Sequence, residues 1–268
     1  MRENSQKGQI LLIVALVMVV VLTVGLAVAS RSITSLRTST EEENSQRAFS
    51  AAEAGIEKII KTGGSISNLS FKNNSTITSA TSTEISGTQF LLNGGNTIER
   101  NDGADVWLVP HDSATDNPIY TNAWTGTSIT VYWGSDSTGC SDPALEIVAI
   151  EKSGVNFISK RYAYDPCISR RANNKFTAPT SGSYNVLGKA FSYRQSIPVS
   201  SGLVVRVIPL YFSAKATGID LTGPAVSQGK KVEAVGKSGD TERKISMFQG
   251  YPKISSEYFY VLLVPKNQ

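Results

Sequence analysis

From Ile10 to Ala29 run twenty consecutive residues without a charge and with one hydroxyl, that of Thr23. At about 1.5 Å per residue this stretch matches the roughly 30 Å hydrocarbon core of a bilayer. Lipid offers backbone groups no partner, so a segment this apolar is forced into a helix that bonds its own backbone, whatever the β-propensity of its valines. A secretory signal core is shorter, about 7–15 residues. Ala27-Val28-Ala29 nevertheless has the small-x-small form of a signal-peptidase site, so release of a secreted domain after Ala29 stands as a competing expectation.

The residues after the span argue against release. The segment SRSITSLRTSTEEENSQRAFSAAEAGIEKIIK contains no proline, and its only glycine is Gly55. Ile33 and Leu36 are three apart, and Phe49, Ala52, Ile56 and Ile59/Ile60 recur at steps of three and four, a helical stripe. Phe49, Ala52, Ile56 and Ile59 are therefore predicted to pack the helix on its own domain. The small residues Ala48, Ala51, Ala52, Ala54 and Gly55 permit close approach of the partner, and Gly63-Gly64 signals the end. Residues 9–62 read as one helix of about 54 residues, roughly 80 Å long. Basic residues lie on both sides of the span (Arg2 and Lys7 before it, Arg31 and Arg37 after it), so the charge rule does not orient it. The short amino-terminal tail favours the tail inside and the domain outside.

Only 18% of residues are charged, against abundant Ser, Thr, Asn and Gly, which suits an extracytoplasmic β-rich domain. The net charge of +4 is spread out with no Lys/Arg cluster among aromatics, so no nucleic-acid partner is expected. Cys140 and Cys167 either pair, closing a loop of about 28 residues that stabilises by roughly 3.5 kcal/mol, or remain two separate buried thiols. Two thiols and one histidine do not make a closed zinc site.

Residues 63–90 are dominated by Ser, Thr, Asn and Gly and read as a loop or short edge strands. TSITVYWG alternates Ile129, Val131 and Trp133 against Thr130 and Tyr132, a strand. ALEIVAIEKSGVNFISKRYAYDP is predicted to be a hairpin turning at Lys152-Ser153-Gly154, and GKKVEAVGKSGDTERKISMFQGYP a second around Ser238-Gly239-Asp240. GLVVRVIPLYF suits a central strand, with Pro209 marking a bulge or edge, and SSEYFYVLLVP reads as a final strand. The predicted class is α+β: a long amino-terminal helix, half transmembrane and half amphipathic, packed on an antiparallel β-rich head of residues 63–268.

Candidate chemistry is sparse. His111 sits in PHDSATDNP beside Asp112 and near Asp116, and a His–Asp pair with a serine is catalytic in principle, but no G-x-S-x-G elbow, second histidine or HExxH accompanies it. A lone histidine in a turn is expected at the solvent surface. The acidic clusters NDGAD, HDSATD and GSDSTGCSD lack the twelve-residue calcium-loop pattern and read as Asx-turns. Trp107, Trp124 and Trp133 are expected in the core rather than in a ligand patch. Neither enzymatic activity, a cofactor nor a bound metal is expected.

A short charged leader ending at Gly8, an apolar stretch and an unbroken amphipathic helix together resemble the amino-terminal signal of type IV pilins and pseudopilins. The downstream QRAFSAAEAGIEK is similar to minor pilins of the PilX type. The resemblance covers roughly residues 5–60. It implies a leader of residues 1–8, cut by a prepilin peptidase between Gly8 and Gln9, with Gln9 methylated at its new amino terminus. It further implies assembly with other pilins and an inner-membrane platform through the 10–29 span, where Ile10, Ile13, Leu16, Val20, Val24 and Ala27 lie. Two positions depart from the family pattern. Ile13 stands where most major pilins carry a glutamate, and Gln9 where an aromatic residue or methionine is commoner. A carboxylate in the span costs about 2.5–3.5 kcal/mol unless a partner charge compensates it. Its absence points to a minor, tip-proximal subunit of a pilus or of a type II secretion-like filament. The alternative expectation is a single-span surface protein with an adhesive β-domain unrelated to pili.

Overall fold

The computed structural model describes residues 5–112, 115–135 and 139–252, with side chains from Leu11 onward. It consists of a long apolar amino-terminal helix followed by an antiparallel β-rich region. The strand predicted in SSEYFYVLLVP lies outside the described residues. The chain divides into two units: one holds the helix with the chain to Thr81 and Glu233–Ser246, the other Ser82–Val232 and the chain from Met247.

In the first unit, helix α1 runs unbroken over Ser5–Thr62, 58 residues and about 87 Å. It stops where the double glycine predicts: Gly63 and Gly64 take φ of +67° and +78°, and the Gly63 N–H donates to the Ile59 carbonyl at 2.8 Å. A left-handed residue just past a helix satisfies an orphan carbonyl without the Cβ strain of other residues. The accompanying sheet has the order β1-β2-β12-β13, from β1 (Ser65–Ser70), β2 (Ser75–Glu84), β12 (Gly229–Ser238) and β13 (Thr241–Gly250). β1 and β2 pair antiparallel, with Leu69 opposite Ile77. Residues 63–90 thus contribute a ten-residue inner strand, β2, rather than only loop and edge. Its Ser75, Ile77 and Ala80 are buried although most of the strand is polar.

The second unit is a β-sandwich. One sheet has the order β4-β10-β6-β7, from β4 (Ala104–Trp107), β10 (Gly202–Leu210), β6 (Ala144–Ser153) and β7 (Asn156–Tyr164). The other is β3-β11-β5-β9-β8, from β3 (Gln89–Leu91), β11 (Gly218–Thr222), β5 (Ser128–Trp133), β9 (Lys189–Pro198) and β8 (Thr180–Val186). Alternate residues of both close one core: Val106, Ile147, Val205 and Val207 from the first sheet, and Ile129, Val131, Trp133, Ile197 and Ile219 from the second. Tyr132, on the opposite face of β5, joins Val186 and Phe191 in a smaller cluster. β10 is a central strand, as its apolar run predicts, and its register shifts between Gly202 and Val204. Pro209 lies beyond the end of β4, which pairs only Val204–Val207, so the missing N–H removes no ladder bond on that side.

Candidate functional site

The longest surface left without tertiary contact is α1 itself. Every residue from Leu11 through Glu43 is exposed. Ile13, Leu16, Val20 and Val24 are each more than half exposed, and Ala27 is exposed with them. Gly8, Gln9 and Ile10 lie on the first turns of the helix, their side chains outside the described set. The apolar part has no polar face, so it is not an amphipathic helix waiting for one partner, and it is long and apolar enough to cross a membrane. Its one hydroxyl is internally satisfied: Thr23 Oγ1 donates to the Val20 carbonyl at 2.8 Å. The same device recurs beyond the span. Thr34, Thr38 and Thr40 donate to the carbonyls of Ser30, Thr34 and Leu36. Each of these back-bonds satisfies its hydroxyl within the helix itself. Two i,i+4 pairs, Arg37–Glu41 and Glu43–Arg47, brace the next turns.

From residue 44 onward the helix changes role. Ala48, Ala51, Ala52, Gly55, Ile56 and Ile59 form the buried stripe. The approach to the sheet is close enough that a Cβ on Gly236 would lie 2.0 Å from the Ala48 carbonyl oxygen and 2.6 Å from the Ala52 nitrogen. Gly55 likewise faces Ala234, Ile77 and Ala80. At the upper end, Ser238 Oγ donates to Asn44 Oδ1 at 3.1 Å, and Arg243 Nε to Ser45 Oγ at 2.8 Å. Phe49 departs from expectation: it is 47% exposed while Ala52, Ile56 and Ile59 are buried. At about 100° per residue it falls at the margin of a stripe centred on Ala48, Ala52, Gly55 and Ile59, beside the half-exposed Ile60. The small residues that bring the sheet close leave no room for a phenyl ring between them.

Cys140 and Cys167 form a disulfide, with Cα atoms 4.5 Å apart. It belongs to a hub, built around the buried Asp165, that no sequence motif announced. Asp165, fully buried, accepts from Arg170 (Nη2–Oδ1 2.8 Å), from the Cys167 N–H (2.8 Å) and from Asn174 Nδ2 (2.8 Å). Arg170, on the short helix α2 (Ile168–Asn174), also donates to the carbonyls of Gly139, Cys140 and Asp142, and its guanidinium lies 5.0 Å from the Tyr211 ring centroid. Burial pushes the Asp165 carboxyl up. The bonds from Arg170, Cys167 and Asn174, with the Arg170 charge, outweigh it and hold the group below the ordinary carboxylate range. The arrangement ties the 139–142 loop to α2.

His111 is not at the free surface. Its ring stacks on Tyr251 with centroids 3.6 Å apart and meets the Trp107 edge at 4.5 Å, and among the described residues neither nitrogen has a hydrogen-bond partner of good geometry. Desolvation lowers its pKa, and the Asp116 charge and Val109 carbonyl oppose that only in part. Asp112 Oδ1 accepts from the N–H and hydroxyl of Thr115, an Asx-type turn, and Ser113 lies outside the described residues. Among the described residues no group of three or more His, Cys, Asp or Glu is arranged to hold a metal. Trp124 and Trp133 are core residues, whereas Trp107 is half-buried on the outer face of its sheet. Two further elements escaped the sequence. Arg206 and Asp105 form a buried bidentate pair across β4 and β10 (2.6 and 2.7 Å), and Gln228 clamps the Trp107 backbone from both sides (2.9 and 2.8 Å). A lone arginine inside GLVVRVIPLYF was the one available signal. No protein-family model, curated protein or solved structure matches the chain.

Proposed function

We propose that this chain is a non-enzymatic minor pilin or pseudopilin: a subunit anchored in a membrane by Ile10–Ala29, with its β units outside the cytoplasm. The same helix assembles it into a type IV pilus or type II secretion-like filament. One observation carries the reading: α1 passes without a break from a segment apolar all round into the helix whose Ala48–Ile59 stripe is core. A disposable signal has no physical reason to be continuous with a core helix. An assembling anchor needs that continuity, because it transmits the position of the span rigidly to the folded domain.

In this mechanism the span has two successive environments. In the bilayer it contacts acyl chains. In a filament it contacts the spans of other pilins, an exchange of apolar neighbours at little hydrophobic cost. Thr23 brings no unsatisfied group to either environment. Ile13 brings no charge that demands a partner terminus, which suits a minor subunit rather than a bulk one. Cleavage by a prepilin peptidase between Gly8 and Gln9, followed by methylation of Gln9, leaves the whole anchor in place. The partners are other pilins and the inner-membrane assembly platform.

A second reading, a single-span adhesive β-domain unrelated to pili, draws on the exposed Tyr120, Val155 and Phe157, the first and last with rings 6.5 Å apart. Intact mass of the chain expressed with and without a prepilin peptidase separates the two. A terminus at Gln9 that disappears without the enzyme is the expected result. An intact Met1 overturns the filament reading in favour of the surface adhesin, and a terminus at Ser30 overturns both.

A further inference from the structure

In the second unit, the outer side of β4 borders a cavity of about 270 Å³. Trp107, Phe248 and Tyr251 wall one part of it, and Glu99, Asp102 and Asp105 another. The aromatic wall is fixed in place. Tyr251 is stacked on His111 and donates its hydroxyl to Ser227 (3.1 Å), and Gln228 holds the Trp107 backbone. Gly94 permits Phe248 to close the wall: it takes φ +64°, and a Cβ there would lie 2.6 Å from the Phe248 Cβ. Thr97 and Glu99, which line the cavity, are exposed.

The charge is one-sided. Among the described residues lining the cavity there are three carboxylates and no lysine or arginine. Arg206, behind the lining, compensates Asp105 through its bidentate pair, and the three carboxylates of the lining outnumber that one cation. The carboxylates do not converge as metal ligands do. Dispersed negative charge beside rigid aromatic rings fits a large, weakly hydrated cation, which gains from both the ring faces and the carboxylates. We propose that this cavity binds an organic cation, an ammonium or guanidinium group, carried by a free amine or by a basic side chain of a partner protein.

The test uses the full chain in detergent micelles, with argininamide as probe and citrullinamide as its neutral analogue, both acetylated at the α-amine, and a capped Gly-Arg-Gly peptide, followed by calorimetry and saturation-transfer NMR. Argininamide is expected to bind at least about tenfold more tightly than citrullinamide. The double variant Glu99→Gln, Asp102→Asn is expected to weaken it by about tenfold. Both carboxamides retain an oxygen for the bonds from Ser213 Oγ to Glu99 and from the Gly103 N–H to Asp102, and Glu99→Gln alone, expected to weaken binding by itself, serves where the second change alters the fold. The peptide binding as well as argininamide assigns the cation to a partner's side chain; argininamide binding alone assigns it to a free amine. Equal binding of citrullinamide, an unaffected double variant, or no binding of either cationic probe overturns the proposal. None of these outcomes depends on how the amino terminus is processed.

Discussion

Gly236→Ala tests the packing of α1 on its sheet most severely. The new Cβ would sit 2.0 Å from the Ala48 carbonyl oxygen and 2.6 Å from the Ala52 nitrogen, both backbone atoms of the helix. Overpacking a core by one methyl costs about 1–3 kcal/mol when side chains can yield. Here a helix backbone must yield, so about 3 kcal/mol is expected. Because all three tryptophans lie in the second unit, fluorescence does not report on the helix, and amide hydrogen exchange of residues 48–59 is the appropriate assay. At about 1.4 kcal/mol per decade, exchange there should accelerate about a hundredfold. Gly55→Ala is the contrasting variant. The three atoms nearest its Cβ would be side-chain atoms of Ala234, Ile77 and Ala80 at 3.1 to 3.4 Å. That crowding opposes a helix-propensity gain of about 1 kcal/mol, and protection should change little. If Gly236→Ala leaves exchange at 48–59 within about twofold of the unmodified chain, the argument that backbone contact fixes this interface is wrong.

Reduction of the Cys140–Cys167 disulfide should destabilise the second unit by about 3.5 kcal/mol, the loop-entropy value for its span. Thermal unfolding followed by tryptophan fluorescence with and without reductant measures it, and an unchanged midpoint would place the stability in Arg170 and Asp165 alone. The Asp165 carboxyl is held below its unfolded range, so its contribution is fully present above about pH 3.9 and is lost as pH falls through the folded value. The melting midpoint should therefore drop on acidification below about pH 4. Asp165→Asn should lower the midpoint at neutral pH and flatten that acid limb, and an acid limb as steep as before would assign it to other carboxylates.

Local chemistry made some elements legible and long-range packing hid others. The β6–β7 hairpin was readable because an alternating strand meets Gly154, at φ +63°, in a two-residue turn. β12 and β13 were readable for the same reason at Gly239. The β8–β9 hairpin turns on Leu187-Gly188, where Leu187 adopts φ +49° with its side chain exposed, and no sequence rule selects leucine for that conformation. β2 was obscured because Thr, Ser and Ala alternate there without a hydrophobic signal; Ile77 and Ala80 matter only because Gly55 comes down on them. His111 read as a surface turn because the ring that covers it, Tyr251, is 140 residues away in the chain. Asp165 and Arg170 sit five residues apart, yet the carbonyls that complete the arginine's bonding lie on a loop that only the fold brings to them.

The long helix shows the limit of periodicity most clearly. Its first half was legible from composition alone, because twenty uncharged residues leave a single solution in lipid. Its second half was legible in outline, since a 3.6-residue stripe demands a partner. Which residue of the stripe is buried was not legible by hydrophobicity: the largest apolar member, Phe49, is left half-exposed while the alanines are covered. Close packing chose size over hydrophobicity. Gly236, Gly55 and the alanines shorten the distance between helix and sheet until backbone meets backbone, and the apolar residues that remain large stand at its margin. A helix held this closely has little freedom to tilt or slide on its sheet. In the filament reading, displacement of the span is then carried to the folded unit through rigid backbone contact, and any flexibility must arise in the exposed stretch between Ser30 and Glu43, where no tertiary contact restrains the helix.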